Sequence, residues 1–181
     1  VLIHALPIFH THGLFVDTNV ALLAGSQVIL LPGFDADAIL TAMPRATALM
    51  GVPTFYTRLL ADDRLTMERA TNMRLFIYGS APLLVATHES WQARTGHRIL
   101  ERYGMTETNM SPSNPYDGDR RAGTVGFPLP GVEARIMADG VEVATGEIGV
   151  LEVRGPNVFQ GYWQMPEKTA EELRPDGWFI T

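Results

Sequence analysis

Residues 101–109 read ERYGMTETN and place a guanidinium, a phenol, a hydroxyl and a carboxylate within one short stretch. Arginine can pair with a carboxylate through two parallel hydrogen bonds, and tyrosine can stack on a planar base. Threonine can donate to a phosphate oxygen, and glutamate can hold a divalent cation through oxygen. Charges in a turn are also commonly exposed to water without any ligand. The stretch therefore indicates a ligand site only if other polar segments meet it.

A second candidate segment, GSAPL at residues 79–83, follows the apolar run MRLFIYG. Its glycine and small side chains allow a ligand to approach the backbone. Because ligands of open α/β sheets bind beyond the carboxyl ends of the strands, we expect this segment at the same edge as ERYGMTE. An ordinary turn, in which Pro82 starts the next helix, is the alternative.

His4, His10 and His12 form a third group with the spacing H-x5-H-x-H. They lie in a strand and a loop without an adjacent carboxylate in the sequence. This arrangement is more often found without a bound metal than as a metal site. The chain has no GxxxxGKS or GxxxxGKT phosphate loop and no GxGxxG, HExxH or GxSxG motif. The activities that depend on those motifs therefore find no support in these residues.

The elements that must position these residues alternate in type along the first part of the chain. Apolar runs predict strands at residues 1–6, 27–31, 46–52, 73–79 and 97–104. The stretches between them have helical spacing, with Asp35 or Asp37 and Pro53 at helix starts and Gly96 at a helix end. This alternation predicts an α/β fold, a mostly parallel sheet with covering helices, over residues 1 to about 110.

The second part of the chain, residues 111–181, is divided by glycine and proline. SPSNPYDGDRRAG predicts a long surface loop, and the short apolar runs after it predict strands, with a hairpin at Asp139-Gly140. MPEKTAEEL predicts a short terminal helix with Pro166 in its first turn. We expect an antiparallel or barrel-like β unit here, separate from the unit at residues 1–110. Both chain ends look cut, at an apolar run and inside a strand.

Composition excludes several classes of function. The 181 residues carry a net charge of −6, and no basic run exceeds two residues, which argues against nucleic acid or an anionic membrane as a partner. The absence of cysteine excludes disulfides, thiolate metal sites and cysteine nucleophiles, and it fits a cytoplasmic protein. No apolar run reaches the roughly 18 residues of a membrane span.

Seven motifs in order resemble the adenylate-forming enzymes, the acyl-CoA synthetase or AMP-binding superfamily. They are LPIFHTHGL, GSAPL, ERYGMTET, GTVGFPLPGVEARI, GEIGVLEVRGPNVFQGYW, MPEKT and DGWFIT. The resemblance extends over essentially all 181 residues, with the motifs in the family's order. Within the superfamily the chain most resembles malonyl-CoA synthetases, through HTHGLF, MGVPTFYTRLL, GSAPLL and ERYGMTETNMSPSNPYDGDR. The resemblance implies an internal fragment of the large N-terminal domain of such an enzyme.

The resemblance also implies a reaction. ATP and malonate or methylmalonate would give an acyl-adenylate and pyrophosphate with Mg²⁺, and coenzyme A would then displace AMP. The family's phosphate loop, its ribose-binding aspartate and its C-terminal lysine-bearing domain are expected in the remainder of the parent chain, so this fragment alone is expected to be inactive. The alternatives are a ligase for another short carboxylic acid and an inactive structural or nucleotide-binding fragment.

Carried over position by position, the family's roles fall on three overlapping sets of residues. The nucleotide-binding set is Gly79, Ser80, Ala81, Glu101, Arg102, Tyr103, Gly104 and Thr106. The acid-binding set is His10, His12, Ser80, Arg102 and Met105. The catalytic set is Thr106, which contacts the phosphate, and Glu107, which holds Mg²⁺.

Arg102 departs from many relatives, which carry glycine just before the tyrosine. An arginine there fills the space with a planar, permanently charged group that suits a second carboxylate. A buried carboxylate without such a partner would cost several kcal/mol. Arg102 is therefore expected to select a dicarboxylic acid, with His12 assisting. The alternative is a surface arginine paired with Glu101.

Overall fold

Five parallel strands form the centre of the structure, a computed structural model that describes residues 1–181. Their order across the sheet is β2-β1-β3-β4-β5, and every neighbouring pair is parallel. The strands are β1 (Leu2–His4), β2 (Val28–Leu30), β3 (Ala48–Gly51), β4 (Leu75–Tyr78) and β5 (Leu100–Met105). The predicted α/β fold with a mostly parallel sheet is confirmed.

Two further strands, β6 (Asn109–Ser113) and β7 (Phe127–Pro128), extend this sheet in antiparallel fashion beyond β5. The prediction of a loop from residue 111 onward was therefore wrong for its first residues. Asn114 explains why a polar stretch is held in place, since its side-chain amide donates to the carbonyls of Glu101 at 3.0 Å and Thr124 at 2.6 Å. Composition alone does not show such long-range hydrogen bonds.

Helices connect the parallel strands and begin and end at recognisable residues. The Asp35 carboxylate accepts from the Ala38 amide at the start of α2, Pro53 opens α3, and Gly96 ends α4 at φ 79°. Before them, a π-helix (His12–Asn19) continues directly into α1. The α-helices are α1 (Val20–Leu23), α2 (Ala36–Ala42), α3 (Pro53–Leu60) and α4 (Val85–Thr95).

The core lies between the sheet and helices α3 and α4. Trp91 of α4 is fully buried, and its ring meets Tyr56 of α3 at 4.8 Å and Phe76 of β4 at 4.9 Å, both edge to face. Large aromatic rings in this arrangement add stabilisation beyond their buried area. This packing fixes the position of β4 against α3 and α4, and the carboxyl end of β4 carries part of the candidate site.

Residues 133–180 form a second, four-stranded antiparallel sheet with the order β11-β10-β8-β9. Its strands are β8 (Glu133–Ala138), β9 (Val141–Glu142), β10 (Val150–Arg154) and β11 (Phe179–Ile180). The antiparallel prediction is confirmed, but the sheet ends in two edge strands, so it does not close into a barrel. The hairpin at Asp139-Gly140 is present, with φ of 50° and 78°.

Helix α5 (Pro166–Glu172) lies between β10 and β11, where the short terminal helix was predicted. The division into units at 1–110 and 111–181 stays a prediction, and β6 and β7 pair with the first sheet. No helix in the structure has the length and hydropathy that a membrane span requires.

Candidate active site

Three segments meet at the carboxyl edge of the parallel sheet. Ser80 follows β4, and its Oγ lies 3.0 Å from Nδ1 of His12, at the start of the π-helix after β1. Thr106 follows β5, and its Oγ1 accepts a hydrogen bond from Thr11 Oγ1 at 3.4 Å. The structure thus brings GSAPL, ERYGMTE and the histidine loop together. Helix α4 begins at Val85, so Pro82 lies in the loop and does not start the helix.

His12 is a buried imidazole with one free nitrogen. Its side chain is 3% exposed, and Nε2 has no hydrogen-bond partner. Burial, together with the positive charge of Arg102, lowers the pKa of His12 to about 4. The ring is therefore neutral at pH 7 and can present Nε2 to a ligand. His10 is exposed, and its Nδ1 accepts the His12 amide at 3.2 Å.

Ser80 has a left-handed backbone at φ 73°, a conformation that costs a residue with a side chain about 1–2 kcal/mol. Such strain is often found where a side chain must be held for a ligand. Gly79 is buried beside it, and a methyl group there would lie 3.4 Å from His12 Cε1. A larger residue would displace the imidazole. Ala81 is exposed at the mouth of the site.

A cavity of about 410 Å³ opens between the GSAPL loop and β5. The half-buried ring of Tyr103 lines one side of it. Gly104 permits the close approach of β6, because a methyl group there would lie 1.8 Å from the Asn109 carbonyl oxygen. The lining residues relevant to binding are Ser80, Ala81, Pro82, Arg102, Tyr103, Gly104 and Val125.

A second cavity of about 400 Å³ lies on the other side of the His12–Ser80 pair. His10, His12 and Ser80 supply its polar groups. The rest of its wall is mostly apolar, with Leu6, Phe9, Phe34, Val52 and Phe55. Ser80 lines both cavities and His12 lines only the second, so the hydroxyl of Ser80 lies where two ligand-sized spaces adjoin.

Arg102 carries a buried guanidinium that no protein carboxylate satisfies. Its Nε is buried without a partner, and one terminal nitrogen contacts only the sulfur of Met50, at 3.3 Å. Burial lowers the pKa of Arg102 to about 10, and the nearby Asp17 opposes that shift. The group is charged at pH 7. A buried, charged donor without a partner is costly, which points to an anionic ligand.

Glu101 does not pair with Arg102, so the alternative of a surface ion pair is wrong. Its carboxylate, 3% exposed, lies 2.8 Å from His88 Nδ1 on α4 and accepts the Gly123 amide at 3.1 Å. Neighbouring residues of a strand point to opposite faces, so Arg102 lies on the face of the π-helix instead. Glu101 lines the first cavity while its carboxylate is used inside the protein.

Asp17, a residue that the sequence analysis did not single out, is fully buried in the π-helix. Neither of its oxygens has a hydrogen-bond partner, and Oδ2 lies 3.4 Å from His4 Nδ1. Burial raises the pKa of Asp17 to about 7, although Arg102 acts in the opposite direction. The signal in the sequence was a single acid within the otherwise apolar and neutral run GLFVDTNV.

The Thr-Glu turn after β5 carries an exposed Thr106 and a half-buried Glu107. Oε1 of Glu107 accepts from the hydroxyl of Tyr162 at 3.0 Å, a second residue that the sequence analysis missed. Met105 contacts Tyr103 through its sulfur, at 3.9 Å from the phenol oxygen.

The donor set at this turn fits Mg²⁺ bound together with a phosphate. No group of three or more His, Cys, Asp or Glu side chains is placed to hold a metal ion alone. Mg²⁺ is commonly bound by one or two carboxylates, several waters and the phosphates of a substrate. Glu107 forms no ion pair in the protein, and its Oε2 accepts no protein hydrogen bond, so that oxygen is open to a cation.

The family model described as "AMP-binding enzyme" matches residues 1–163. The chain belongs to the AMP-binding enzyme family. Two curated relatives of this AMP-binding chain are a malonate–CoA ligase from Arabidopsis thaliana, 41% identical over 99% of this chain and 32% of the relative, and a probable CoA ligase from Humulus lupulus, 40% identical over 99% and 33%. The chain thus spans about a third of the length of these relatives.

Solved structures share the arrangement of the AMP-binding chain. ATP-bound MatB from Rhodopseudomonas palustris is 65% identical, with a TM-score of 0.97 over 99% of this chain and 36% of that one. A malonyl-CoA ligase in a ternary product complex with methylmalonyl-CoA and AMP is 43% identical, with a TM-score of 0.90 over 99% of this chain and 40% of that one.

Proposed function

We propose that this AMP-binding chain is an internal part of a longer ATP-dependent acid–CoA ligase that activates malonate. The carrying observation is the buried guanidinium of Arg102, which has no carboxylate partner in the protein and lies near the free Nε2 of His12. A dicarboxylate supplies one carboxylate for reaction and a second for these donors. The names of the similar ligases support the same substrate.

The first half-reaction requires an activated acid, because a free carboxylate has a poor leaving group. In our proposal its oxygen attacks the α-phosphate of ATP, which releases pyrophosphate and leaves a mixed anhydride with AMP. Tyr103 stacks on the adenine in the first cavity, beside Gly79, Ser80, Ala81, Glu101 and Gly104. Thr106 donates to the α-phosphate. Bound through Glu107, Mg²⁺ would offset the negative charge of the phosphates.

The acid is held by His12 and Ser80, which line the second cavity, and by Arg102, which lines the first. His10 in the second cavity and Met105 on β5 belong to the same acid-binding set. Arg102 pairs with the distal carboxylate through its parallel N–H groups, and neutral His12 supplies Nε2. The reacting carboxylate then points toward Thr106 and the nucleotide. In the second half-reaction the thiol of coenzyme A attacks the acyl carbon, and AMP leaves with the bonding electron pair.

Methylmalonate is the second candidate substrate. A solved relative is described with methylmalonyl-CoA and AMP bound, and it is 43% identical to this chain. An extra methyl group needs space beside Ser80, His12 and Met105 but no new charge partner. The ratio of kcat/KM for malonate and methylmalonate distinguishes the two.

The remainder of the parent chain is part of this proposal, including a phosphate loop and a C-terminal domain with a lysine. The length of the similar ligases supports this, since the chain spans 33% of one and 32% of another. We also propose a cytoplasmic location, which rests on composition alone. One similar malonate–CoA ligase, from Mus musculus, is described as mitochondrial.

The direct test is pyrophosphate release and malonyl-CoA formation by the full-length parent with ATP, Mg²⁺, malonate and coenzyme A. Glu107→Gln keeps the shape of the side chain, removes its charge and should lower kcat severely, because the lost stabilisation falls on the transition state. If the parent turns over another short acid but not malonate, that acid is the substrate instead of malonate. The absence of any adenylate from the parent would reject the function.

A further inference from the structure

Three contacts from residues 157–162 hold the Thr-Glu turn. The side-chain amide of Asn157 donates to the Thr108 carbonyl at 2.7 Å, and the Phe159 amide donates to the Glu107 carbonyl at 2.7 Å. The hydroxyl of Tyr162 donates to the Glu107 carboxylate at 3.0 Å. A segment more than 50 residues away, beyond β10, therefore fixes both the backbone and the side chain of Glu107.

The Tyr162 hydroxyl has two carboxylates and one proton to donate. It lies 2.6 Å from Oε2 of Glu172 on α5 and 3.0 Å from Oε1 of Glu107. Glu172 has a counterion, since its Oε1 lies 2.5 Å from Nζ of Lys168. Glu107 has none within the chain. A cation at Glu107 would supply the counterion that this carboxylate lacks within the chain.

We propose that Tyr162 is a positioning residue for the reaction: it holds Oε1 of Glu107 so that Oε2 faces a divalent cation bound with ATP. The inference rests on the proposed function, in which Glu107 is the cation ligand. Glu172 and Lys168 keep the phenol oriented from the other side.

Tyr162 can lose its hydroxyl without losing its place in the fold. Its backbone amide donates to Thr169 Oγ1 at 2.9 Å, and its ring packs edge to face on Phe159 at 4.7 Å. Phenylalanine keeps both contacts. Tyr162→Phe therefore tests the hydrogen bond to Glu107 separately from the packing.

The experiment uses the full-length parent and measures Mn²⁺ binding by electron paramagnetic resonance in the presence of a non-hydrolysable ATP analogue. Loss of a group that orients a metal ligand commonly weakens metal binding by about 10-fold to 100-fold, and we expect Tyr162→Phe to raise the Mn²⁺ dissociation constant within that range. Tyr116→Phe is the matched control, because the Tyr116 hydroxyl is exposed and makes no hydrogen bond. Its dissociation constant should equal that of the wild type.

A second readout is the Mg²⁺ dependence of adenylate formation. Tyr162→Phe should need more Mg²⁺ for half-maximal rate and should recover most of its kcat at saturating Mg²⁺, which a folding defect would not allow. Affinity for ATP without metal should not change.

Each outcome is decisive. If Glu107→Gln weakens Mn²⁺ binding while Tyr162→Phe matches the wild type, Tyr162 is structural and the inference is overturned. If neither variant changes Mn²⁺ binding, Glu107 is not the ligand and the inference is overturned with it. If the parent forms no adenylate, the proposed function fails, and the Mn²⁺ measurements still decide whether Tyr162 orients Glu107.

Discussion

Ser80 Oγ lies 3.0 Å from His12 Nδ1, although the two residues are 68 positions apart. The contact joins the ends of β1 and β4, which are separated by β3 in the sheet. It orients a neutral imidazole through Nδ1, and Nε2 of the same ring has no hydrogen-bond partner. The strained backbone of Ser80 is thus associated with the orientation of a candidate ligand-binding group.

The first prediction separates the backbone of Ser80 from its hydroxyl. Ser80→Ala and Ser80→Gly both remove the hydrogen bond to His12, but only glycine accepts φ 73° without strain. We expect the glycine variant to exceed the alanine variant in free energy of unfolding by about 1 kcal/mol. In the full-length parent, both variants should lower kcat/KM for malonate to a similar degree, about fivefold to tenfold.

Asp139→Gly is the control for this comparison. Asp139 is another left-handed residue, at φ 50° in an exposed hairpin. Asp139→Gly should have a higher free energy of unfolding than Asp139→Ala, and neither variant should change kcat/KM. Equal unfolding free energies for the two Ser80 variants would show that the backbone at residue 80 is not strained.

The second prediction concerns Arg102 as the selector of a dicarboxylate. In the full-length parent, Arg102→Gly should lower kcat/KM for malonate by about 100-fold or more, because removing one partner of a buried charge pair costs about 3–5 kcal/mol. Butyrate has no second carboxylate, so its kcat/KM should change little or rise. Arg102→Lys should restore only part of the malonate activity, since lysine lacks the planar fork. An unchanged ratio between the two substrates would contradict this role.

The third prediction follows from the buried carboxyl of Asp17, whose pKa is raised from 3.8 to about 7. Between these values the folded chain holds a proton that the unfolded chain releases, so this group lowers stability as pH rises. Asp17→Asn cannot ionise. Its advantage in free energy of unfolding should therefore grow from about pH 4 to about pH 7, by at most about 4 kcal/mol, and then stay constant.

Urea unfolding of the wild type and of Asp17→Asn across this pH range checks the prediction. The titratable or charged groups near Asp17 are His4 on β1, Tyr56 on α3 and Arg102 on β5. All three are present in both proteins, so the difference reports the ionisation of Asp17 together with its coupling to them. A difference that does not vary with pH would mean that Asp17 is ionised in the folded state.

The fourth prediction concerns Glu152 in the second sheet, which is 2% exposed. Arg135 and Arg174 each donate to it at 2.6 Å. Glu152→Gln should lower the free energy of unfolding by about 2–3 kcal/mol, because both arginines lose their charge partner. Glu133→Gln, which breaks the exposed pair with Arg154, should cost less than about 1 kcal/mol.

The pH dependence at Glu152 has the opposite sign to that at Asp17. Burial alone would raise the pKa of Glu152, but hydrogen bonds from Arg174 and Arg135 lower it overall. Its stabilisation is therefore present above the unfolded value near 4.5 and is lost as pH falls through the folded pKa. Equal acid unfolding of the wild type and Glu152→Gln would contradict this assignment.

Local sequence determined the five parallel strands of the first sheet and several helix boundaries, but not the antiparallel strands β6 and β7. Asp35, Pro53 and Gly96 act on the backbone within a few residues of themselves, so their effects can be predicted without the fold. The placement of GSAPL and ERYGMTE at one edge followed from the parallel topology, because parallel strands present the same end to one side.

The tertiary structure alone decided which polar groups are satisfied. Glu101 and Arg102 are neighbours in sequence, yet their environments differ. The carboxylate of Glu101 contacts His88, whereas Nε of Arg102 has no partner in the protein. Tyr162 meets Glu107 across 55 positions, a contact that no local pattern encodes. Propensity and spacing act over a few residues, whereas burial and the pairing of charges depend on segments that only the fold brings together.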